Sequence, residues 1–191
     1  MGWQTDYQAR GSLWAGASYL LPEIPENALI LETGCGNGKT LRSLGQNAVG
    51  IDISSAAVQL AGSSALVGDV RSLPFNDSVF DIIFCWHVLG HLSFSERKTA
   101  AEEMLRVLKP EGVLYFKDFS RNDFRYGKGT EIEPSSFLRG DGIVTHYFEP
   151  EELISLFGPS DLSTVSWNLR IKGVNNRREE ILLSHKKTNS E

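Results

Sequence analysis

Glu32, Gly34, Gly36 and Gly38 occupy every second position of the stretch that follows the apolar run Leu29-Ile30-Leu31, and a second apolar run, Gly50-Ile51, ends on Asp52. Glycine is needed where a backbone turns with positive φ or lies against a ligand with no Cβ in between. A carboxylate at the tip of the next strand can accept both hydroxyls of a ribose. Together these residues predict a nucleoside-binding crevice at the carboxyl ends of parallel strands. Further chemistry-bearing residues follow. Asp69 precedes a turn that it could simply initiate. His87 and His91 lie four apart with no third ligand at suitable spacing, so no metal site is expected. Asp141 and His146 stand in the second half beside Arg139.

The spacing sorts the possible ligands. A dinucleotide fingerprint wants Gly-x-Gly-x-x-Gly, and Lys39 takes its third glycine's place. A phosphate loop ending at Gly38-Lys39-Thr40 would need glycine where Thr33 stands. The pattern Glu32-x-Gly34-x-Gly36-x-Gly38 instead resembles motif I of the class I S-adenosylmethionine (SAM) methyltransferases. That resemblance implies SAM as cofactor, with Glu32, Gly34, Cys35, Gly36, Asp52 and Ile53 around it. Val67-Gly68-Asp69-Val70-Arg71-Ser72-Leu73-Pro74-Phe75 resembles the family's adenine-binding segment, which gives Asp69 the exocyclic amine and the Val70 amide a ring nitrogen. Asp81 to Leu92 resembles motif IV of the branch with small-molecule, quinone and RNA substrates, so Cys85, Trp86 and His87 are expected along the methionine end. Trp86 either packs on the cofactor or belongs to the core. Leu105 to Leu114 resembles the family's approach to its fifth strand.

These residues need a scaffold, and the rest of the chain reads as one. Its 191 residues suit a single domain, 1–191, with a full core. No apolar run is long enough to span a membrane and no secretion signal is visible, so a cytoplasmic protein is expected. Cys35 and Cys85 are too few for a disulfide framework; both fall at strand ends, and two reduced small hydrophobes are the expectation. A net charge of -5 argues against a broad nucleic-acid footprint. Strands are expected at 28–33, 48–53, 65–69, 80–85, 113–119, 162–169 and 181–185. Helices are expected from Lys39 to Leu44, Ser55 to Gly62, Ser95 to Leu108 with Ser95 as cap, and Glu149 to Phe157. Lys109-Pro110-Glu111-Gly112 should stop the third helix. The fold class is therefore α/β: a Rossmann-like, doubly wound, seven-stranded, mostly parallel sheet. Ser120 to Gly142 has no sustained period, and a substrate loop or lid is expected over 120–148.

The N-terminal segment 1–27 is aromatic, and in the fold that the resemblance implies such a segment closes over the cofactor. Tyr7, Arg10 and Trp14 could cover it, with Arg10 reaching the SAM carboxylate; a core-docking helix presenting Leu13 and Trp14 is the alternative. Phe137 to Leu153 resembles a segment of the tRNA 3-methylcytidine methyltransferases in Arg139-Gly140-Asp141-Gly142 and, approximately, in Tyr147-Phe148. It departs at Ile143-Val144, where that group has Thr-Arg, and at His146. Asp141 could equally bond nearby loop amides.

The combined expectation is a methyltransferase in which in-line placement supplies most of the catalysis. A base is needed only where the acceptor must lose a proton, with His91, Asp141 and His146 as catalytic candidates. Lys117, Asp118 and Arg125 are expected nearby. The expected partner is a small-molecule acceptor with an acidic or polar group, handled by a monomer or homodimer. A tRNA base, with help from a partner protein, and noncatalytic binding of SAM or S-adenosylhomocysteine are the alternatives.

Overall fold

A computed structural model describes residues 2–11 and 20–188. Trp14 and Leu13 lie outside the described residues. Helix α1 (Trp3–Arg10) leads into β1 (Ile30–Thr33). Then come β2 (Ala48–Asp52), α2 (Ser55–Ala61), β3 (Ala65–Val67), β4 (Phe80–Trp86), α3 (Phe94–Val107) and β5 (Leu108–Phe119). The chain continues through β6 (Thr130–Glu133), β7 (Ser136–Leu138), β8 (Val144–His146), α4 (Pro150–Phe157), β9 (Asp161–Ile171) and β10 (Val174–Lys186).

Seven strands form one sheet in the order β3-β2-β1-β4-β5-β10-β9, and β6, β7 and β8 form a second, three-stranded sheet. In the large sheet β10 runs antiparallel to both its neighbours, while the other pairings are parallel. The strand order reverses between β1 and β4, which opens a crevice outside their carboxyl ends. Both faces of the sheet are covered, which explains the continuous apolar run of β4. Ile83 and Cys85 face the cluster built with α3 and α4, including Met104 and Phe157, while Ile82 and Phe84 face a second cluster with Cys35 and Leu41. Leu31, Ile83 and Phe84 are fully buried, each contributing about 1.5–3 kcal/mol. Among the described residues no helix is long and apolar enough to cross a membrane.

Four local expectations change. The helix expected from Lys39 to Leu44 is only a 3-10 turn, Leu41–Ser43, squeezed between Gly38 and Gly45, both at positive φ. Helix α3 begins at Phe94, one residue before Ser95: Ser93 is its cap, and the Glu96 carboxylate closes a capping box by accepting the Ser93 N–H at 2.8 Å. Its end passes directly into β5, and Lys109–Gly112 forms an irregular insertion in that strand against β4, with Glu111 at φ 65°. The 120–142 stretch carries β6 and β7 rather than being structureless, because Phe137 packs edge-on to Tyr126 at 5.3 Å and against Tyr147 at 6.0 Å.

Candidate active site

The Gly34–Gly38 turn leaves β1 at the reversal point and wraps the tip of β2. Asp52 fixes it: its carboxylate accepts the Gly36 N–H and the Ser54 N–H, both at 2.9 Å. Burial raises the Asp52 pKa. Gly34 and Gly36 have φ of 61° and 53°. A Cβ on Gly34 would stand 2.3 Å from Val88 Cγ2, and one on Gly36 would stand 2.4 Å from the Tyr7 hydroxyl. The close approach at Gly36 is therefore made by α1. That helix is anchored by Gln4, whose side-chain oxygen accepts from Ser54 Oγ at 2.8 Å and from the Ala56 N–H at 3.3 Å at the start of α2. Trp3 then reaches the other wall, edge-on to His91 at 4.7 Å.

Beneath α1 lies a cavity of about 600 Å³. Of the residues singled out in the sequence, Glu32, Gly34, Cys35, Gly36, Asp52, Ile53, Asp69, Val70, Trp86 and His91 line it. Glu32 is buried, its pKa is pushed up to about 8 chiefly by desolvation, and its Oε2 has no hydrogen-bond partner. Asp69 is held below the usual carboxylate range by Arg71, whose Nε donates to it at 2.9 Å while its Nη1 donates to Glu96. The Arg71 N–H also donates to Asp69 at 2.9 Å, so the turn-initiating role of Asp69 is present too. Trp86 lies under the Lys117 ammonium, 4.0 Å from its ring centre, and Lys117 is brought down to about 8, above all by burial.

Four expected site residues are not brought to the cavity. Cys85 faces the core, where burial pushes its thiol up to about 12. It also sits on the opposite side of the sheet from Cys35, so the two thiols do not approach. Arg10 turns back on its own helix to Asp6 at 2.6 Å. Asp141 belongs to the turn between β7 and β8, accepting the Ile143 N–H at 3.1 Å and pairing with Arg139 at 3.3 Å. His146 follows from strand alternation: Thr145 faces the cavity, so its neighbour points away. Its Nε2 lies 2.7 Å from Glu152, and its Nδ1 lies 2.8 Å from Ser136 Oγ. Glu152 in turn accepts from the buried Arg97 at 2.9 Å, so His146 joins the small sheet to α3 and α4.

The other end of the cavity holds His91 and Arg125, which were expected near the acceptor, and His87, together with Phe119, Trp167, Arg178 and Glu180, which the sequence did not point to. His87 follows β4 at φ 58°, with Nδ1 3.4 Å from Asp118 and Nε2 3.1 Å from Glu180. Burial depresses its pKa, but the two carboxylates outweigh that and leave it raised. His91 goes the other way, lowered by burial, while its Nδ1–H donates to the Val144 carbonyl at 2.7 Å. A neutral His91 therefore carries its lone pair on Nε2. Phe119, Arg125, Arg139, Trp167, Arg178 and Glu180 complete this end. Because β10 is antiparallel, its first half returns beside the end of β5, pairing Glu180 with Phe119 and Arg178 with Trp167.

The arrangement places Asp52, Asp69 and a buried carboxylate with one orphaned oxygen, that of Glu32, on the wall of one cavity that runs on to Phe119, Trp167 and Glu180. Residues 31–116 match the methyltransferase domain family. The structure superimposes on a SAM-dependent methyltransferase from Methanosarcina mazei with a TM-score of 0.66 and 26% identity, covering 86% of this chain and 95% of that one. Residues 31–116 belong to the methyltransferase domain family, and the fold is that of the SAM-dependent methyltransferases. The chain is also 30% identical over 159 residues to the tRNA N(3)-cytidine methyltransferase METTL2 of Bos taurus, covering 71% of this chain and 42% of that protein. A tRNA (carboxymethyluridine(34)-5-O)-methyltransferase of Arabidopsis thaliana is 37% identical over 113 residues, or 55% of this chain and 27% of that protein. The chain thus spans less than half the length of either relative.

The cofactor fits this site on an observation independent of kinship. Glu32 lines the cavity and its Oε2 is buried without a hydrogen-bond partner, an acceptor of the kind that an ammonium group would complete.

Proposed function

We propose that the protein transfers the SAM methyl group to a small-molecule acceptor bound in the chamber lined by Phe119, Trp167 and the three arginines. The observation that carries this reading is the cavity of about 600 Å³ roofed by α1. That volume is in the range of roughly 300–1,000 Å³ typical of small-ligand sites, and the half beside Asp52 and Asp69 is taken up by cofactor. In this reading Glu32, Gly34, Cys35, Gly36, Asp52, Ile53, Asp69, Val70 and Trp86 hold SAM. Helix α1, within segment 1–27, covers it, and segment 120–148 forms the wall of the acceptor chamber.

When bound, SAM supplies an electrophilic sulfonium methyl, so the protein's task is in-line alignment. His91 stands between the halves as a neutral imidazole able to take a proton from a hydroxyl or amine acceptor. The two buried thiols support work in a reducing cytoplasm.

A tRNA base is the second reading, favoured by the names of the matched relatives and by the exposed Arg170, Lys172 and Arg177 on the β9–β10 hairpin. Incubation with methyl-labelled SAM and separate pools of metabolites, RNA and proteins tests both. Label in the metabolite pool is expected. Label confined to RNA, with binding that falls steeply as salt rises, would overturn the small-molecule reading.

A further inference from the structure

At the acceptor end two guanidiniums share one carboxylate. Arg125 donates its Nε–H to Asp123 at 3.1 Å, and Arg178 donates its Nε–H to the other Asp123 oxygen at 2.5 Å. The Asp123 side chain is 0% exposed and does not line the cavity. One negative charge thus sits behind two positive ones, each held by its Nε–H. Phe119 fixes the planes further, with Arg125 at 4.1 Å and Arg178 at 4.5 Å from its ring centre. Arg125 Nη2 is buried with no hydrogen-bond partner, and so is the hydroxyl of Tyr147. Tyr147 sits in the field of Arg125, Arg139 and Arg178. A buried guanidinium N–H left unpaired is costly unless a ligand completes it.

The charges facing the chamber are unequal. Arg125, Arg139, Arg178 and His87 line it at this end against one carboxylate, Glu180, which is already engaged by His87 at 3.1 Å. Asp118, Asp123 and Asp141 do not line it. The chamber is thus lined by groups that bear N–H donors, while most of the balancing acids lie off its wall. Planar guanidinium forks held by their Nε atoms match the oxygens of a carboxylate or phosphate.

We propose that Arg125, Arg178 and Arg139 form an oxyanion clamp that binds a carboxylate or phosphomonoester group of the methyl acceptor. The proposal rests on the small-molecule reading and narrows it to anionic acceptors. The clamp holds the acid group away from the cofactor while another atom of the acceptor faces the methyl, so the clamp is a specificity device and not a proton-transfer group.

The test titrates benzoate, phenyl phosphate and neutral benzamide into protein saturated with S-adenosylhomocysteine, read by tryptophan fluorescence. At least one anion should bind about tenfold more tightly than benzamide, and the better of the two names the oxyanion. Arg125→Gln should abolish that preference while leaving S-adenosylhomocysteine affinity unchanged. Because this variant removes one of the two guanidiniums on the buried Asp123, Arg139→Gln is the companion: Arg139 is 35% exposed and, among the described residues, its ion pair is with the exposed Asp141, so the fold is not at stake. It should weaken the anion several-fold. Anions that bind no better than benzamide, or a preference intact in both variants, overturn the clamp. If labelled methyl appears only on uncharged metabolites, the clamp falls and the small-molecule reading stands. If it appears only in RNA, both fall.

Discussion

Glu32→Gln separates the cost of a buried acid from its use. In the free protein the Glu32 carboxyl titrates at about 8 instead of 4.5, because burial disfavours the anion more than hydrogen bonds from Thr40 and the Leu41 amide restore it. The folded state therefore holds a proton that the unfolded state has lost between those two values. The stability linked to that proton is complete below pH 4.5, falls by about 1.4 kcal/mol per pH unit, and is gone once pH passes about 8. Glutamine imitates the protonated acid and does not titrate. Urea unfolding of wild type and variant should then diverge by about 2–3 kcal/mol between pH 6 and pH 9, with wild type losing ground. The ligand reverses the preference, since an ammonium beside Oε2 favours the carboxylate. Calorimetric affinity for S-adenosylhomocysteine should rise toward pH 8 in wild type, by at most about tenfold per unit, and stay flat in the variant. Parallel unfolding curves together with pH-independent binding by the wild type would refute both the buried acid and its role as the ammonium's partner.

Asp52→Ala removes the ribose acceptor and also frees the Gly36 and Ser54 amides, so calorimetry should show cofactor affinity weakened by about 2–4 kcal/mol. Gly36→Ala puts a Cβ against the Tyr7 hydroxyl at a positive-φ position, and should cost about 1–3 kcal/mol in stability measured by urea unfolding, part of it recovered in Tyr7→Phe. His146→Ala strips a partner from Glu152 and from Ser136, and should cost about 1–3 kcal/mol in thermal unfolding while turnover below the transition stays near wild type. A large loss of kcat in a folded His146→Ala protein would return that residue to the chemistry.

What could be read in the chain divides along a physical line. The cofactor half is built from consecutive residues at the ends of β1, β2 and β4, where a glycine pattern and a terminal acid state the backbone geometry directly. Every expected residue of the Gly34 turn and of the β2 tip lines the cavity. Cys85 missed because strand periodicity, not motif membership, decides which way a side chain points, and its parity matches the core-facing Ile83. His146 missed for the same reason, one residue from Thr145 on the cavity side. The alternation of 143–146 held that signal, since Ile143 and Thr145 share a face. Of the acceptor half, His91 and Arg125 were expected and line the cavity, but the residues of β9 and β10 were not legible from local pattern. Arg178, Glu180 and Trp167 arrive there through the antiparallel return of β10 and its pairing with β9, a long-range register that no window of sequence contains. Arg178 stands beside Arg177 in the sequence, a basic pair with nothing local to tell the two apart. Its neighbour is indeed 64% exposed, but Arg178 is 13% exposed and committed to a buried aspartate fifty-five residues away. Basic residues on terminal strands are usually solvated; here one of the two became part of a cavity wall because Asp123 was waiting behind it. A fold can thus be recognised from its cofactor turn while its substrate specificity rests on charges whose meaning depends on which strand comes back beside which.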